Sequence, residues 1–250
     1  YFPLIIGAGH ITKMWALVYA PLMMGGADYT LRQNVWVGGA LTALFTSLEI
    51  GANHPQITYY FILAMAIMWL SEGIYAWREK RMKDFSKRTA ILALAGIVAV
   101  GSNLSPLWQT MQHTKETTRG GSELVAKDAE SGTQGLDLEY ATAWSYGRAE
   151  SLNMFVPDFM GGASTDTFAE DGPVAEALKP YGLEQMAQYM PRYRGEQPYT
   201  AGPTYLGAAA VFLAVLALML LPNRQRSWIV GASVLALFMS GGHHLVWSTA

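Results

Sequence analysis

The stretch LEIGANHPQITYY, residues 48–60, sets an acid, an amide and an imidazole between two apolar runs that read as membrane spans. Ionisable groups at membrane depth cost roughly 2.5–3.5 kcal/mol on insertion scales, so Glu49, Asn53, His54 and Gln56 are expected to face a protein interior or a wet cavity. Part of this polarity has a local explanation. Pro55 suits the first turn of a helix, where its missing N–H is not needed, and Asn53 or His54 can cap that helix. Capping does not account for Glu49, four residues before Asn53 and therefore expected one turn deeper on the same helix face.

The flanking sequence supports the spans. The chain of 250 residues is 51% hydrophobic and 14% charged, against roughly 25% charged for an ordinary soluble domain. Its apolar residues fall in blocks, and runs near the ~20 residues needed to cross a bilayer lie at about 11–26, 35–52, 57–77, 89–105, 204–221 and 228–247, with residues 1–9 as the tail of another. Residues 1–106 and 203–250 are thus expected to be transmembrane helices, and residues 107–202 an extracytoplasmic cap. The fold class expected is an all-α polytopic membrane protein with a mixed α/β or irregular loop domain. Within the loop, LEYATAWSYG and LNMFVPDF carry aromatics that solvated tails avoid. Short helices are expected around Pro173–Lys179 and Leu183–Met190, where Leu183, Met186 and Met190 recur at helical spacing before Pro191.

Charge gives a sidedness. The linker WREKRMKDFSKR holds Arg78, Lys80, Arg81, Lys83, Lys87 and Arg88, and the NRQR turn adds Arg224 and Arg226; by the positive-inside rule these face the cytoplasm. Threading the spans from them puts the ADYTLRQN turn inside and four features outside: the GHITK turn, the NHPQ turn, the long loop and the GGHH segment at 241–244. His10, Lys13, Asn53, His54, Gln56, His243 and His244 then share the side of the loop. Lys13 taken alone reads first as a side chain snorkelling from a helix end, whereas His10 stands next to glycines that let backbone or ligand approach closely. Arg119, beside two glycines, reads either as the partner of Glu123 or as a fork for phosphate.

Several classes are excluded or unsupported. The chain has no Cys, hence no disulfide framework and no thiolate metal site. Its five His show neither HxxxH nor HExxH spacing, so no metal and no cofactor are expected. A net charge of -2 gives no reason to expect nucleic acid. The opening YFPLIIGAG carries no basic leader and the end, VWSTA, follows an apolar run, which reads as an internal piece of a longer protein.

The ordered motifs AGHITK, LEIGANHPQITYYF, KETTRGGSEL, YATAWSYG, VPDFMGGAS and RGEQPYTAGPTYLGA resemble the YfhO-like bacterial membrane proteins, particularly versions common in Bacteroidetes, over nearly the whole chain. The resemblance implies a GT-C-type glycosyltransferase of the bacterial inner membrane, which takes sugar from a polyprenyl-phosphate carrier and transfers it on the outer face to a cell-envelope acceptor. Its partners would be the lipid bilayer, the lipid-linked sugar phosphate and that acceptor. The resemblance also implies a catalytic acid in the first outer loop, upstream of Tyr1. Two positions depart from the family pattern: Arg194-Gly195-Glu196 stands where an aromatic and Gly-Asp are expected, and Glu49 where an amide is common. In this setting the phosphosugar would be held by His10, Lys13, Glu49, Asn53, His54, Gln56, Arg119 and His243. A transporter or lipid flippase is the rival reading, which calls for polar residues at the bilayer midplane; Glu72 is the main inner-half exception to their scarcity. A scaffold for an envelope complex is the third.

Overall fold

The computed structural model describes residues 9–114, 143–147, 149–197 and 205–241; Arg119, Glu123, His243 and His244 lie outside them. Among the described residues the chain is mostly helical: α1 (Ile11–Arg32), α2 (Val35–Gly51), α3 (Pro55–Arg78), α4 (Met82–Ser102), α5 (Leu104–Thr114), α6 (Pro173–Leu178), α7 (Ala208–Leu220) and α8 (Asn223–Ser240). By length and composition α3 and α4 can cross a membrane, while α2 and α7 are apolar but shorter. The chain divides into two compact units, Tyr1–Gly135 with Pro222–Ala232, and Leu136–Leu221 with Ser233–Ala250.

In the first unit, α1 and α2 form an antiparallel pair whose contact is set by glycine and threonine. Gly26 and Thr30 on α1, and Gly38 and Thr42 on α2, are spaced by four and all four are buried. A Cβ on Gly26 would stand 2.8 Å from the Thr42 backbone N, and one on Gly38 would stand 2.6 Å from the Thr30 Cα. Each threonine hydroxyl donates back to the glycine carbonyl one turn earlier, at 2.8 Å in both helices. The hydroxyls are thereby satisfied inside their own helices, and small residues let the backbones approach, as in small-xxx-small packing between membrane helices. This contact also explains why α1 runs to Arg32 rather than ending at residue 26: Gly26 faces its partner helix, and the following turn is supported by the Asp28–Arg32 pair at 3.2 Å.

Helix α4 likewise starts earlier than expected, at Met82. Asp84 in its first turn pairs with Arg88 at 2.7 Å, and Phe85 is buried, its ring 5.6 Å from that of Trp69. At this end of the unit α1, α3, α4 and α8 converge on Glu72, which is fully buried. Arg81 donates to it at 2.8 Å, Arg224 donates through both Nε, at 2.7 Å, and Nη2, and Arg32 stands 3.5 Å away. Arg88 donates to the Thr30 and Gln33 carbonyls at the end of α1, at 2.7 and 3.0 Å. The apolar core of Ala27, Leu31, Met68, Ala76 and Phe85 lies beside this cluster, with Met65, Leu92 and Trp228 packed against it.

Many large apolar side chains of the first unit are exposed. In α3 the buried residues are Met68, Glu72 and Ala76, one stripe at four-residue spacing, whereas Ile62, Leu70, Ile74 and Trp77 are exposed. In α4 Phe85, Ala95 and Ala99 are buried, and Leu94, Ile97, Val98 and Val100 are exposed.

Of the expected mixed α/β or irregular loop domain, the described residues of the second unit do not show the mixed α/β form. Its described residues hold no strand, only an isolated bridge between Thr167 and Pro191. Up to residue 197 they form short helical turns, 3-10 turns at Glu150–Met154, Lys179–Tyr181 and Glu184–Tyr189 together with α6, and the longer helix α7 follows. Both expected short helices are present, but the second is 3-10, and Leu183, Met186 and Met190 are exposed at 43%, 51% and 38%. Ala187 is its buried residue, so the spacing of the larger side chains does not mark a core face.

The glycine contact yields a direct test. Gly38→Ala should force α1 and α2 apart and destabilise the protein by about 1–3 kcal/mol, whereas Gly96→Ala, with nothing within 4 Å of the added methyl, should be neutral or gain about 0.5–1 kcal/mol from helix propensity. Denaturant titration of the detergent-solubilised variants measures both.

Candidate functional site at the Asn53–His54 turn

The other end of the first unit gathers the C-terminal turns of α2 and α4, the N-terminus of α3 and α5. Helix α2 ends at Gly51, and Asn53 takes a left-handed conformation, φ 53. The i, i+4 relation between Glu49 and Asn53 is therefore broken by the turn. Glu49 points inward and is fully buried, while Asn53 is exposed. The expected common face does not form.

Glu49 instead finds its partner across the turn: the Thr58 hydroxyl donates to Oε1 at 3.0 Å. Its Oε2, also buried, has no hydrogen-bond partner among the described residues. Asn53 Oδ1 accepts from the Thr110 hydroxyl on α5 at 3.3 Å. Behind them, Ser47 and Ser102 are hydrogen-bonded at 2.6 Å, and Asn103 Nδ2 donates to the Ser47 carbonyl at 2.9 Å, tying the end of α4 to α2.

Capping does not explain these side chains. Pro55 occupies the first turn of α3 as expected, and His54 is the N-cap residue, but its side chain makes no cap hydrogen bond. The cap sequence reasoning missed is Asn34, whose Oδ1 accepts from the N–H groups of Trp36 and Val37 at 3.0 and 3.1 Å. Gln56 is exposed and donates to Tyr60 on its own helix at 3.4 Å. His10 precedes α1, exposed and without a side-chain cap bond, and Lys13 is half-buried one turn further in. The antiparallel course of α1 and α2 puts the N-terminus of α1 and the Asn53–His54 turn at the same end of the unit. Thr58, Ser47, Asn103 and Thr110 complete the polar cluster. Hydroxyl and amide residues near apolar helix ends were the available signal.

The second unit has its own polar centre. Glu150 is fully buried, with Oε1 accepting from the Tyr193 hydroxyl and Oε2 from the Gly147 N–H. Asn153 Nδ2 donates to the Glu150 carbonyl at 2.9 Å and its Oδ1 accepts from the Met160 N–H at 3.0 Å. Tyr193 in turn accepts from the Gln197 N–H at 3.0 Å. A Cβ at Gly195 would collide with the Glu150 carboxylate and the Tyr193 ring. Gly147, Met160 and Gly195, one residue from each of three sequence motifs, thus lie around one buried carboxylate. Gly147, Ala149, Glu150, Met160, Arg194 and Glu196 line a cavity of about 410 Å³ there. Among the described residues no group of three His, Asp or Glu side chains could hold a metal ion.

Comparison with protein-family models, with curated proteins and with solved structures gives no match for the chain.

Burial first, then the bond to Glu150, pushes the Tyr193 phenol above its ordinary value of 10.0. The folded chain holds this proton more tightly than the unfolded chain does. The resulting stability is complete below about pH 10 and is lost as pH rises towards the folded-state value. Tyr193→Phe should therefore leave the tyrosinate absorbance of the folded protein unchanged below about pH 11, because Tyr193 is still protonated there. A fall in amplitude by one tyrosine's share would contradict the buried Glu150–Tyr193 bond.

Proposed function

We propose that the chain is part of a polytopic helical protein of the bacterial inner membrane, a GT-C-type transferase that moves sugar from a polyprenyl-phosphate carrier to an envelope acceptor on the outer face. The observation that carries the membrane part is the exposure of large apolar side chains on α3 and α4, among them Ile62, Leu70, Ile74, Trp77, Leu94, Ile97 and Val98, while Thr30, Thr42, Glu49 and Glu72 are buried in the first unit beside Met23, Leu31, Met68 and Phe85. Such a surface is stable against hydrocarbon and costly against water. The ionisable side chains of α1 to α4 fall near helix ends, with Lys13, Glu49, Glu72, Asp84 and Arg88 all within about two turns of a terminus. A transporter would need such groups nearer the midplane. The Arg-rich end is the cytoplasmic one in this reading, and the Asn53–His54 turn is then extracytoplasmic.

What supports the transfer chemistry is the motif resemblance together with Glu49. Its buried Oε2 is an acceptor that can take the proton of an acceptor hydroxyl as it attacks the sugar. Lys13, His10 and His54 stand at the same end, as cations or donors for the carrier's phosphate. Thr58 orients the carboxylate through Oε1.

In the full-length protein, Glu49→Gln, His54→Ala and Lys13→Ala should each lower sugar transfer by about 10- to 100-fold, as expected for loss of a charge-assisted contact realised in the transition state, with protein level and membrane insertion unchanged. Lys13→Arg should retain part of the activity if the role is charge. Parental transfer rates in all three loss variants would reduce the cluster to a structural turn.

A further inference from the structure

The opposite end of the first unit holds a second cavity, of about 230 Å³, several times the roughly 30 Å³ that one water occupies in the liquid. Its wall is made by Arg32, Arg81, Arg88, Arg224, Pro222 and Gln225, together with Leu31. No acidic side chain is among these residues. The acids nearby are already engaged: Glu72 by Arg81 and Arg224, Glu79 by Arg81, Asp84 by Arg88 and Asp28 by Arg32.

The guanidinium groups keep unused capacity. Each has five N–H donors, and Arg32 Nη2 is buried with no hydrogen-bond partner among the described residues. Arg224 is held in place by Glu72 and by the Tyr75 ring, 5.7 Å from its guanidinium carbon, and Arg88 is fixed by two carbonyls of α1. The forks are therefore positioned before any ligand arrives, which lowers the ordering cost of binding. Arg78, Lys80, Lys83, Lys87 and Arg226 stand at the same helix ends, and α8 begins at the cavity with the positive end of its dipole.

The geometry points to a binding site for a phosphate anion, gripped by Arg32, Arg81, Arg88 and Arg224. It lies at the other end of the helices from Glu49 and is independent of sugar transfer. The same chemistry fits the phosphodiester of an anionic lipid in the adjacent leaflet or a free phosphate. Basic pockets between membrane helices on the cytoplasmic side bind lipid headgroups in this way. Planar guanidinium forks suit phosphate oxygens better than ammonium groups do.

Thermal unfolding of the purified protein, in a zwitterionic detergent, tests this with two probes: short-chain phosphatidylglycerol and inorganic phosphate, each against short-chain phosphatidylcholine. Phosphatidylglycerol alone raising the Tm supports the site with a lipid source. A rise with both anions supports it with free phosphate as sufficient ligand. Gln225→Glu puts an acid on the wall while keeping Glu72 and all four arginines, and should raise the half-saturating concentration by about tenfold or more; Arg32→Gln should do the same. Failure of Arg32→Gln to fold leaves Gln225→Glu as the deciding variant. The site is overturned if neither anion shifts the Tm, or if Gln225→Glu binds as the parent does.

Discussion

Glu72 is the point on which the first unit turns. A carboxylate taken out of water costs several kcal/mol unless it is paired and its oxygens are satisfied. Here Arg81 and Arg224 donate to it and Arg32 adds a third positive charge at 3.5 Å, the three coming from separate segments. The electrostatic requirement is also a topological one. It fixes the end of α1, the turn before α4 and the start of α8 around the last two turns of α3. Removing one partner of a buried pair typically costs about 3–5 kcal/mol because the other charge is left uncompensated, which makes Glu72, shared by all three arginines, the member whose loss costs most. The remaining arginine of the group, Arg88, extends the tie to the carbonyl ends of α1.

With that end fixed, the rest of the packing is carried by small contacts. Gly26 and Gly38 allow close approach, and Thr30 and Thr42 fill the seam without leaving an unsatisfied hydroxyl. Ser47, Ser102 and Asn103 repeat the device at the other end. Beyond the small apolar core, large apolar side chains lie on the outside. This arrangement is physically coherent when the surroundings are hydrocarbon, since helices in lipid gain little from burying leucine against leucine and must instead gain from close packing and internal hydrogen bonds.

Much of this was legible in the sequence, and what was missed has specific causes. The expected spans at 35–52 and 57–77 match α2 and α3 to within a residue or two because both are bounded by turn residues, Asn34 and Pro55. The expected end of α1 and the expected start of α4 both fall about six residues inside the observed helices, since Gly25-Gly26 and the charged run KDFSKR look like breaks when read alone. In the structure Gly26 is a contact surface, and the charged run is a helix turn stabilised by Asp84–Arg88. Glu72 stands out as inner-half polarity, but two of its partners, Arg81 and Arg224, read only as positive charge facing the cytoplasm, and nothing in the sequence singles out Arg32. The site at Asn53–His54 was legible as a polar turn. Its geometry was not, because Asn53 leaves the helix with positive φ and hands the role of Glu49's neighbour to Thr58. In the second unit the glycine-rich motifs were visible as motifs. That Gly147 and Gly195 crowd the same carboxylate required the fold.

Thiol labelling tests the two-ended membrane arrangement most directly, since the parent chain has no Cys and positions at both ends are exposed. Ser86 lies in the first turns of α4 at the Arg-rich end, and Gln56 in the first turn of α3 at the opposite end. With an impermeant maleimide applied to intact spheroplasts, Gln56→Cys should react and Ser86→Cys should react only after the membrane is opened. Labelling of both positions in intact spheroplasts, or of Ser86→Cys alone, would contradict it.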